Sequence, residues 1–325
     1  MAITIFEKNL NEFCINFTDN ELSKYKSLKE KYSQHFEEIS NFLYEKLTPQ
    51  EQHWLMIWFV KRWGNVSKIP FNEYMHYKGD RLRIETAEYP TISLKDKVYK
   101  RLNLEDQGYK GELITYQWTL GIHDFLFNQY TNENFKIDAG DVIIDAGAFV
   151  GDTAVIFAQS TNNDCLVHAF ELLDENIELL KINVENHNIC DKVILNKLAL
   201  SNTSNATVKI NAKKLQGATS IFGCEDGEEI KTITIDDYIK KENIEKLDLI
   251  KMDIEGAERY ALEGSLETIK KFKPKLAICL YHLWDDIFEI PLLIEKSGVD
   301  YQYNFKWVEF LHGWEAVLLC VPKNK

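Results

Sequence analysis

After Gly140 the chain alternates short apolar runs with stretches of helical spacing, and this alternation constrains the fold more than any other feature. The runs are VIIDAGA (Val142 to Ala148), LVHAFE (Leu166 to Glu171), VILNKLAL (Val193 to Leu200), LDLIKMDI (Leu247 to Ile254) and KLAICLYH (Lys275 to His282). Helical pattern separates most of them, so they predict a parallel sheet covered on both faces. YQYNFKWVEF and EAVLLCVPK then follow each other too closely for a helical crossover and predict an antiparallel hairpin at the sheet edge. Residues 202–237 interrupt the alternation and read as an inserted hairpin or flap.

The first part of the chain has a different character. From Asn20 to Leu47 the residues Leu22, Tyr25, Leu28, Tyr32, Phe36, Ile39, Leu43 and Leu47 recur at spacings of three and four, which predicts one long amphipathic helix. Such a helix packs on its own core or offers an oligomerisation surface. Thr48, Pro49 and Glu51 then supply an N-cap, a first-position proline and a capping-box glutamate for a second helix. That helix is apolar nearly all round and is expected to be buried. The segment YKGDRLRIETAEYPTISL suggests short strands and turns.

A chain of 325 residues with 45% apolar composition supports one large core with an appendage, or two modest domains. Its net charge of -13 repels phosphate backbones, which argues against a nucleic-acid partner. The most apolar window, HWLMIWFV, is far too short to span a bilayer, and the start MAITIFEKNLNEF does not read as a secretory signal, so the chain reads as cytoplasmic. Its six cysteines are scattered without zinc spacing and read as buried thiols.

VIIDAGAFVGDTAVIFA reads as a buried strand, a turn with Gly147 and Gly151, and a helix whose first turn carries Asp152 and Thr153. In an open parallel sheet such a turn faces a ligand cleft beyond the strand ends. A dinucleotide fingerprint would need a glycine where Phe149 stands, and Asp145 is awkward for a diphosphate but suits a cation. Glu171 ends the next strand, where an acid can accept both hydroxyls of a ribose. A cationic amino acid joined to a ribose describes S-adenosylmethionine. The residues expected to line it are Asp145, Gly147, Ala148, Gly151, Asp152 and Thr153 of the turn, Glu171 and Leu172, Asn196 and Ala199 near the third strand, and Asp253.

In LIKMDIEGAERYALEG the charges Lys251, Asp253 and Glu255 stand at every second position, on one face of a strand. Three charges buried in mid-sheet would be costly, so they are expected at the open carboxyl end. The alternative is an internal ion-pair network that only fixes the loop. His282, ending the fifth strand, has the ordinary pKa suited to a general base. Asp253, Glu255 and Asp285 offer hard oxygens of the kind magnesium accepts, but no metal is assigned.

DLIKMDIEGAERYALEGS resembles the K-x-D-x-E-G-x-E signature of the FkbM family of S-adenosylmethionine-dependent O-methyltransferases. VIIDAGAFVGDTA, HAFELLDENIELLKINVEN and LAICLYHLWDDIFEIPLLI resemble its other blocks in the same order, so the resemblance covers roughly Asp141 to Pro322. The family's proline after the second-strand glutamate is Leu172 here. The resemblance implies a Rossmann-like class I methyltransferase fold, placed at residues 111–325 behind a mainly helical region of residues 1–110. It also implies methyl transfer to a hydroxyl, often on a sugar, in a glycan, glycolipid or secondary metabolite. Asp253, His282, Lys251 and Glu255 are the candidates for catalysis, and Trp284, Trp307 and Trp314 would either stack on a sugar or fill the core. The competing readings are an oxidoreductase or epimerase on a dinucleotide fold and a binding protein that kept the fold without the chemistry.

Overall fold

The computed structural model describes residues 3–117, 123–210 and 227–323. Among these residues the chain opens with helices α1 (Ile5–Phe13), α2 (Asp19–Tyr32), α3 (Phe36–Phe42), α4 (Pro49–Gly64) and α5 (Phe71–Thr86). The long helix expected from Asn20 to Leu47 is broken at Ser33–His35 by a 3-10 turn. Tyr25, Leu28, Tyr32, Phe36, Ile39 and Leu43 are buried on both sides of the break. Spacing of three and four therefore marked the buried face correctly but carried no information on the continuity of the axis.

Helix α4 forms as expected. Thr48 Oγ1 accepts from the Glu51 amide, Glu51 Oε2 accepts from the Thr48 amide, and Leu55 to Val60 are all buried. Helix α5 replaces the first part of the region expected to hold strands and turns. The strands come after it, as β1 (Thr91–Leu94), β2 (Lys97–Asn103) and β3 (Glu112–Thr115), a small antiparallel sheet. Asn183 fixes that sheet by exchanging two hydrogen bonds with the Ile114 backbone.

A short helix α6 (His123–Phe127) precedes β4 (Asp141–Ala146), α7 (Asp152–Ser160), β5 (Cys165–Phe170), α8 (Asp174–Asn186) and β6 (Val193–Asn196). Then come β7 (Ala199–Leu200), β8 (Thr207–Ile210), β9 (Glu228–Ile233), α9 (Ile235–Lys241), β10 (Leu249–Met252), α10 (Glu258–Glu263), α11 (Leu266–Phe272), β11 (Lys275–Cys279), α12 (Asp286–Lys296), β12 (Tyr301–Trp307) and β13 (Ala316–Pro322). The main sheet has seven strands in the order β12-β13-β11-β10-β4-β5-β6. Its strands β6, β5, β4, β10 and β11 are parallel, and β13 runs antiparallel to both β11 and β12. This is the parallel sheet finished by a hairpin that the sequence predicts.

The run VILNKLAL divides: β6 stays in the main sheet, whereas Ala199 lies in β7 and pairs with β9 in a separate sheet with β8. Ala199 thus does not close the third strand of the main sheet. The expected insertion at residues 202–237 contains the β8–β9 pairing, and its residues 211–226 lie outside the described residues. Cys14, Cys165, Cys279 and Cys320 are buried as expected, but Cys190 is exposed.

The N-terminal helices share one core with the main sheet, which runs from Phe6 and Leu10 through Trp58 to Leu318 and Cys320. Three polar contacts lock them to the β12–β13 hairpin and to the exit of β11. Trp58 Nε1 donates to the Gly313 carbonyl at 2.9 Å, the Phe305 amide donates to Glu51 Oε1 at 3.1 Å, and Arg62 donates from Nη2 to the Tyr281 carbonyl at 2.8 Å. No helix among the described residues is long and apolar enough to cross a membrane.

Candidate active site

The site builds outward from β4 and β10, which lie side by side with Asp145 opposite Lys251 in register. Both residues are buried, with Lys251 Nζ 3.0 Å from Asp145 Oδ1. Thr153 Oγ1, at the start of α7, donates to the other carboxylate oxygen. Lys251 also donates to the Gly147 carbonyl at 2.6 Å and stands 5.2 Å from the centre of the Tyr130 ring. The charge pair thus ties the glycine turn, α7 and β10 together. Asp145 was expected to face a cationic ligand and Lys251 to lie at the open rim; both instead sit inside the sheet, where each neutralises the other.

The turn after β4 is left-handed at Gly147, Phe149 and Gly151, with φ of 80°, 45° and 83°. At Gly147 a Cβ would fall 1.9 Å from the Asp253 carbonyl oxygen, so this glycine is required by chain packing, and it brings the turn directly against the end of β10. A side chain at Gly151 would press on Leu180 of α8. The glycines set the shape of the cleft.

Strand β10 ends at Met252, so the alternation expected to put Asp253 and Glu255 on one strand face stops short of them. Asp253 follows the strand, and Glu255 has a left-handed backbone with φ of 58°. Asp253 is partly exposed and held by two hydroxyls: Tyr130 donates to Oδ2 at 2.7 Å and Tyr281 to Oδ1 at 3.0 Å. Burial alone would raise its pKa, but His282, Lys251 and the two hydroxyls prevail and hold it below the ordinary value.

His282 stands between carboxylates. Its Nδ1 is 2.9 Å from Glu258 Oε1, and its Nε2 is 3.5 Å from Asp253 Oδ1 and 3.6 Å from Glu255 Oε2. Burial opposes the charged imidazolium, yet Glu258, Glu255 and Asp253 together raise its pKa well above the ordinary value. The fully buried Glu258 is fixed in turn by the Ile254 and Gly256 amides, at 2.7 Å and 3.0 Å. The expected candidates Asp253, Glu255 and His282 are therefore brought together, whereas Lys251 is engaged one layer beneath them.

Of the oxygens considered for a metal, those of Asp285 are taken by Arg259, which also pairs with Asp286. Among the described residues, Asp253, Glu258 and His282 bring one ligand atom each within 4.8 Å of one another. Both Glu258 oxygens already accept backbone amides, and His282 meets the remaining charge, so this cluster is a poor fit to a divalent ion.

On the other side of the turn, Glu171 is nearly buried at the end of β5, and its Oε1 accepts from the Leu172 and Leu173 amides at 2.7 Å and 2.9 Å. Burial pushes its carboxyl up to about 7 against those bonds. Asp152 is pushed up to about 6 by burial, with Lys251 opposing and Asp145 adding to the rise. Buried acids raised in this way gain from a cation bound nearby, which is the chemistry a sulfonium and its amino group would supply. The residues around the turn fit S-adenosylmethionine on that ground.

Sequence reasoning missed Tyr130, Tyr281, Gln129 and Glu315 as parts of the site. Glu258 carried a signal as the last glutamate of the K-x-D-x-E-G-x-E signature. The tyrosines carried none, since aromatic residues are ordinary packing in most positions.

The family model for the methyltransferase FkbM domain matches residues 145–315, which takes in the glycine turn, Asp253, His282 and Glu315. The chain belongs to the FkbM methyltransferase family. No curated protein matches it. Among solved structures, the methyltransferase FkbM from Methylobacillus flagellatus KT is 22% identical over 57% of this chain and 44% of that one, with a TM-score of 0.46. The present chain thus spans less than half the length of that structure. Aeropyrum pernix fibrillarin, with natively bound S-adenosyl-L-methionine, is 7% identical over 73% of this chain and 86% of that chain, at a TM-score of 0.40. The precorrin-6y C5,15-methyltransferase from Geobacter metallireducens GS-15 is 11% identical over 72% of this chain and 97% of that chain, at 0.38. The fold of this FkbM-family chain is the Rossmann-like class I methyltransferase fold, with a helical N-terminal region.

Proposed function

We propose that this methyltransferase moves a methyl group from S-adenosylmethionine to a hydroxyl of a carbohydrate acceptor. The observation that carries the reading is Asp253, fixed by two tyrosine hydroxyls beside His282 and pressed against the glycine turn. When bound, S-adenosylmethionine supplies a methyl group on a positively charged sulfur, already activated for displacement. Glu171 with the Leu172 loop, Asp152 at the start of α7, and Asn196 at the end of β6 would hold it. Asp253 then accepts a hydrogen bond from the acceptor hydroxyl and fixes that oxygen for in-line attack. As that oxygen attacks, its proton passes along the hydrogen bond to Asp253 and on to Nε2 of neutral His282, which lies 3.5 Å from Asp253 Oδ1 and is oriented through Nδ1 by Glu258. Glu255 lies on the same nitrogen and stabilises the imidazolium that results.

A sugar acceptor is supported by the acidic, hydroxyl-rich rim and by Trp314, which is 46% exposed. Trp307 is buried, and Trp284 packs against Tyr32 and Phe288, so these two serve the core. Residues 1–110 are proposed as a supporting region for the methyltransferase domain of residues 111–325. The test has two stages. Calorimetry is expected to show binding of S-adenosylmethionine and its demethylated product and none of NAD. Mass spectrometry of glycans from cells with and without the protein is expected to show a gain of one methyl. NAD binding, or methylation confined to nitrogen or carbon, would overturn the reading.

A further inference from the structure

Glu315 stands at the start of β13 with φ of 57°, a left-handed backbone that a glutamate rarely adopts. Most other non-glycine residues with this backbone among the described residues are asparagines; the rest are Lys95, Lys273, Phe149 and Glu255, of which Phe149 and Glu255 lie around the cleft with Glu315. Strain of this kind persists only where the surroundings enforce it, and it gathers at functional sites.

The enforcing contacts come from the N-terminal helices. Buried Glu309 gathers the amides of His312, Gly313 and Trp314 on Oε2, and its Oε1 accepts from the Leu311 amide and from Tyr77 of α5. Trp58 and Arg62 of α4 hold Gly313, where a side chain would strike Arg62 at 3.1 Å. The loop that delivers Glu315 is thus clamped on two sides. From there a continuous chain of polar contacts reaches the reacting edge. Gln129 Nε2 donates to Glu315 Oε2 at 2.6 Å and lies 3.3 Å from the Tyr130 hydroxyl, which donates to Asp253. The remaining Glu315 oxygen, Oε1, has no hydrogen-bond partner among the described residues, and the side chain is partly exposed.

We propose that Glu315 is an acceptor-binding residue whose free Oε1 takes a hydrogen bond from a second hydroxyl of the sugar held at Asp253. This rests on the hydroxyl-transfer reading above and narrows it. Burial and the nearby Asp253 push the Glu315 carboxyl up to about 8, so it meets an acceptor chiefly as a neutral hydrogen-bonding group beside the acidic rim of Asp253 and Glu255, while Lys251, Arg259 and Arg62 are each engaged with protein oxygens. Like charge disfavours phosphorylated or carboxylate-bearing acceptors at such a rim, so the acceptor class is a neutral, hydroxyl-rich sugar.

The role predicts a residue kept at a cost to stability. Glu315→Gly relieves the backbone, and the full chain should then unfold about 2 °C or more above wild type. Glu315→Gln keeps the strain, so its midpoint should stay close to that of wild type. Both variants should bind S-adenosylmethionine as wild type does. With labelled S-adenosylmethionine and the neutral glycan fraction of cells lacking the protein, both should incorporate methyl about tenfold less or worse. A lower unfolding midpoint for Glu315→Gly, or incorporation equal to wild type, overturns the proposal by making Glu315 a structural residue. A wild-type protein that binds S-adenosylmethionine but labels no neutral glycan overturns the sugar-hydroxyl reading and this one with it.

Discussion

Lys251 and Asp145 face each other in register on adjacent parallel strands, 3.0 Å apart and both out of contact with water. Neither strand can change this pair without exposing a bare charge to the sheet interior. Lys251→Met should therefore destabilise the chain by about 3–5 kcal/mol, because Asp145 is left buried without its partner. Adding Asp145→Asn should restore part of that loss. Urea unfolding of the single and double variants checks this, and equal stability of all three proteins would show that the pair is dispensable.

Asp253 is placed to contact the acceptor oxygen, so its removal should affect turnover far more than donor binding. Asp253→Asn keeps the shape and can still accept from one tyrosine hydroxyl. Turnover is expected to fall by about 10²–10⁴, with the affinity for S-adenosylmethionine little changed. Single-turnover transfer of labelled methyl, measured beside calorimetry, separates the two effects. A variant that loses both equally would place Asp253 chiefly in the donor pocket.

The strands of the main sheet were legible because apolar runs of this length, bounded by turns, have few alternatives in an alternating chain. The hairpin of β12 and β13 was legible from the shortness of its connection. The break between α2 and α3 was not, because Tyr32 and Phe36 continue the same buried face across it. Lys251 was misplaced for a related reason: period-two reasoning gives a face but does not say which residue on the neighbouring strand will answer its charge. The link from Tyr130 to Asp253 spans 123 residues and exists only once the sheet order is known. The Glu258–His282 contact joins the exits of neighbouring strands β10 and β11 in the same way.

His282 gives the reaction a pH signature. Its carboxylate neighbours raise its pKa well above the ordinary histidine value, and a base must be neutral to take a proton. Turnover should therefore increase with pH through the raised pKa, giving an optimum on the alkaline side. The stability effect has the opposite trend. The folded state binds this proton more tightly than the unfolded one, so the contribution is full below the ordinary histidine value and is lost as pH climbs through the raised one. Histidine NMR titration locates that pKa, and it should move down when Glu258→Gln removes the backing charge. A pH–rate profile flat across this range would remove His282 from the proton's path.

Arg62 tests whether the helices outside the matched family region act on the site. Its Nε and Nη2 donate to the Tyr281 carbonyl at 3.3 Å and 2.8 Å, just beyond the end of β11, where the pairing with the neighbouring strands has stopped. The Tyr281 hydroxyl reaches Asp253, so the guanidinium acts on Asp253 through one intervening residue. Arg62→Ala leaves that carbonyl without its donor and should cost about 1–3 kcal/mol in urea unfolding. Arg62→Lys restores one donor in place of two and should recover part of the loss. Stability alone would not distinguish a clamp from general packing, so the titration of the Asp253 carboxylate, followed by NMR, is the deciding measurement. If Tyr281 is loosened, Asp253 loses one of the hydroxyls that hold its pKa down, and its titration should shift upward in Arg62→Ala and partly return in Arg62→Lys. An unchanged Asp253 titration in a destabilised Arg62→Ala protein would confine the N-terminal helices to holding the fold.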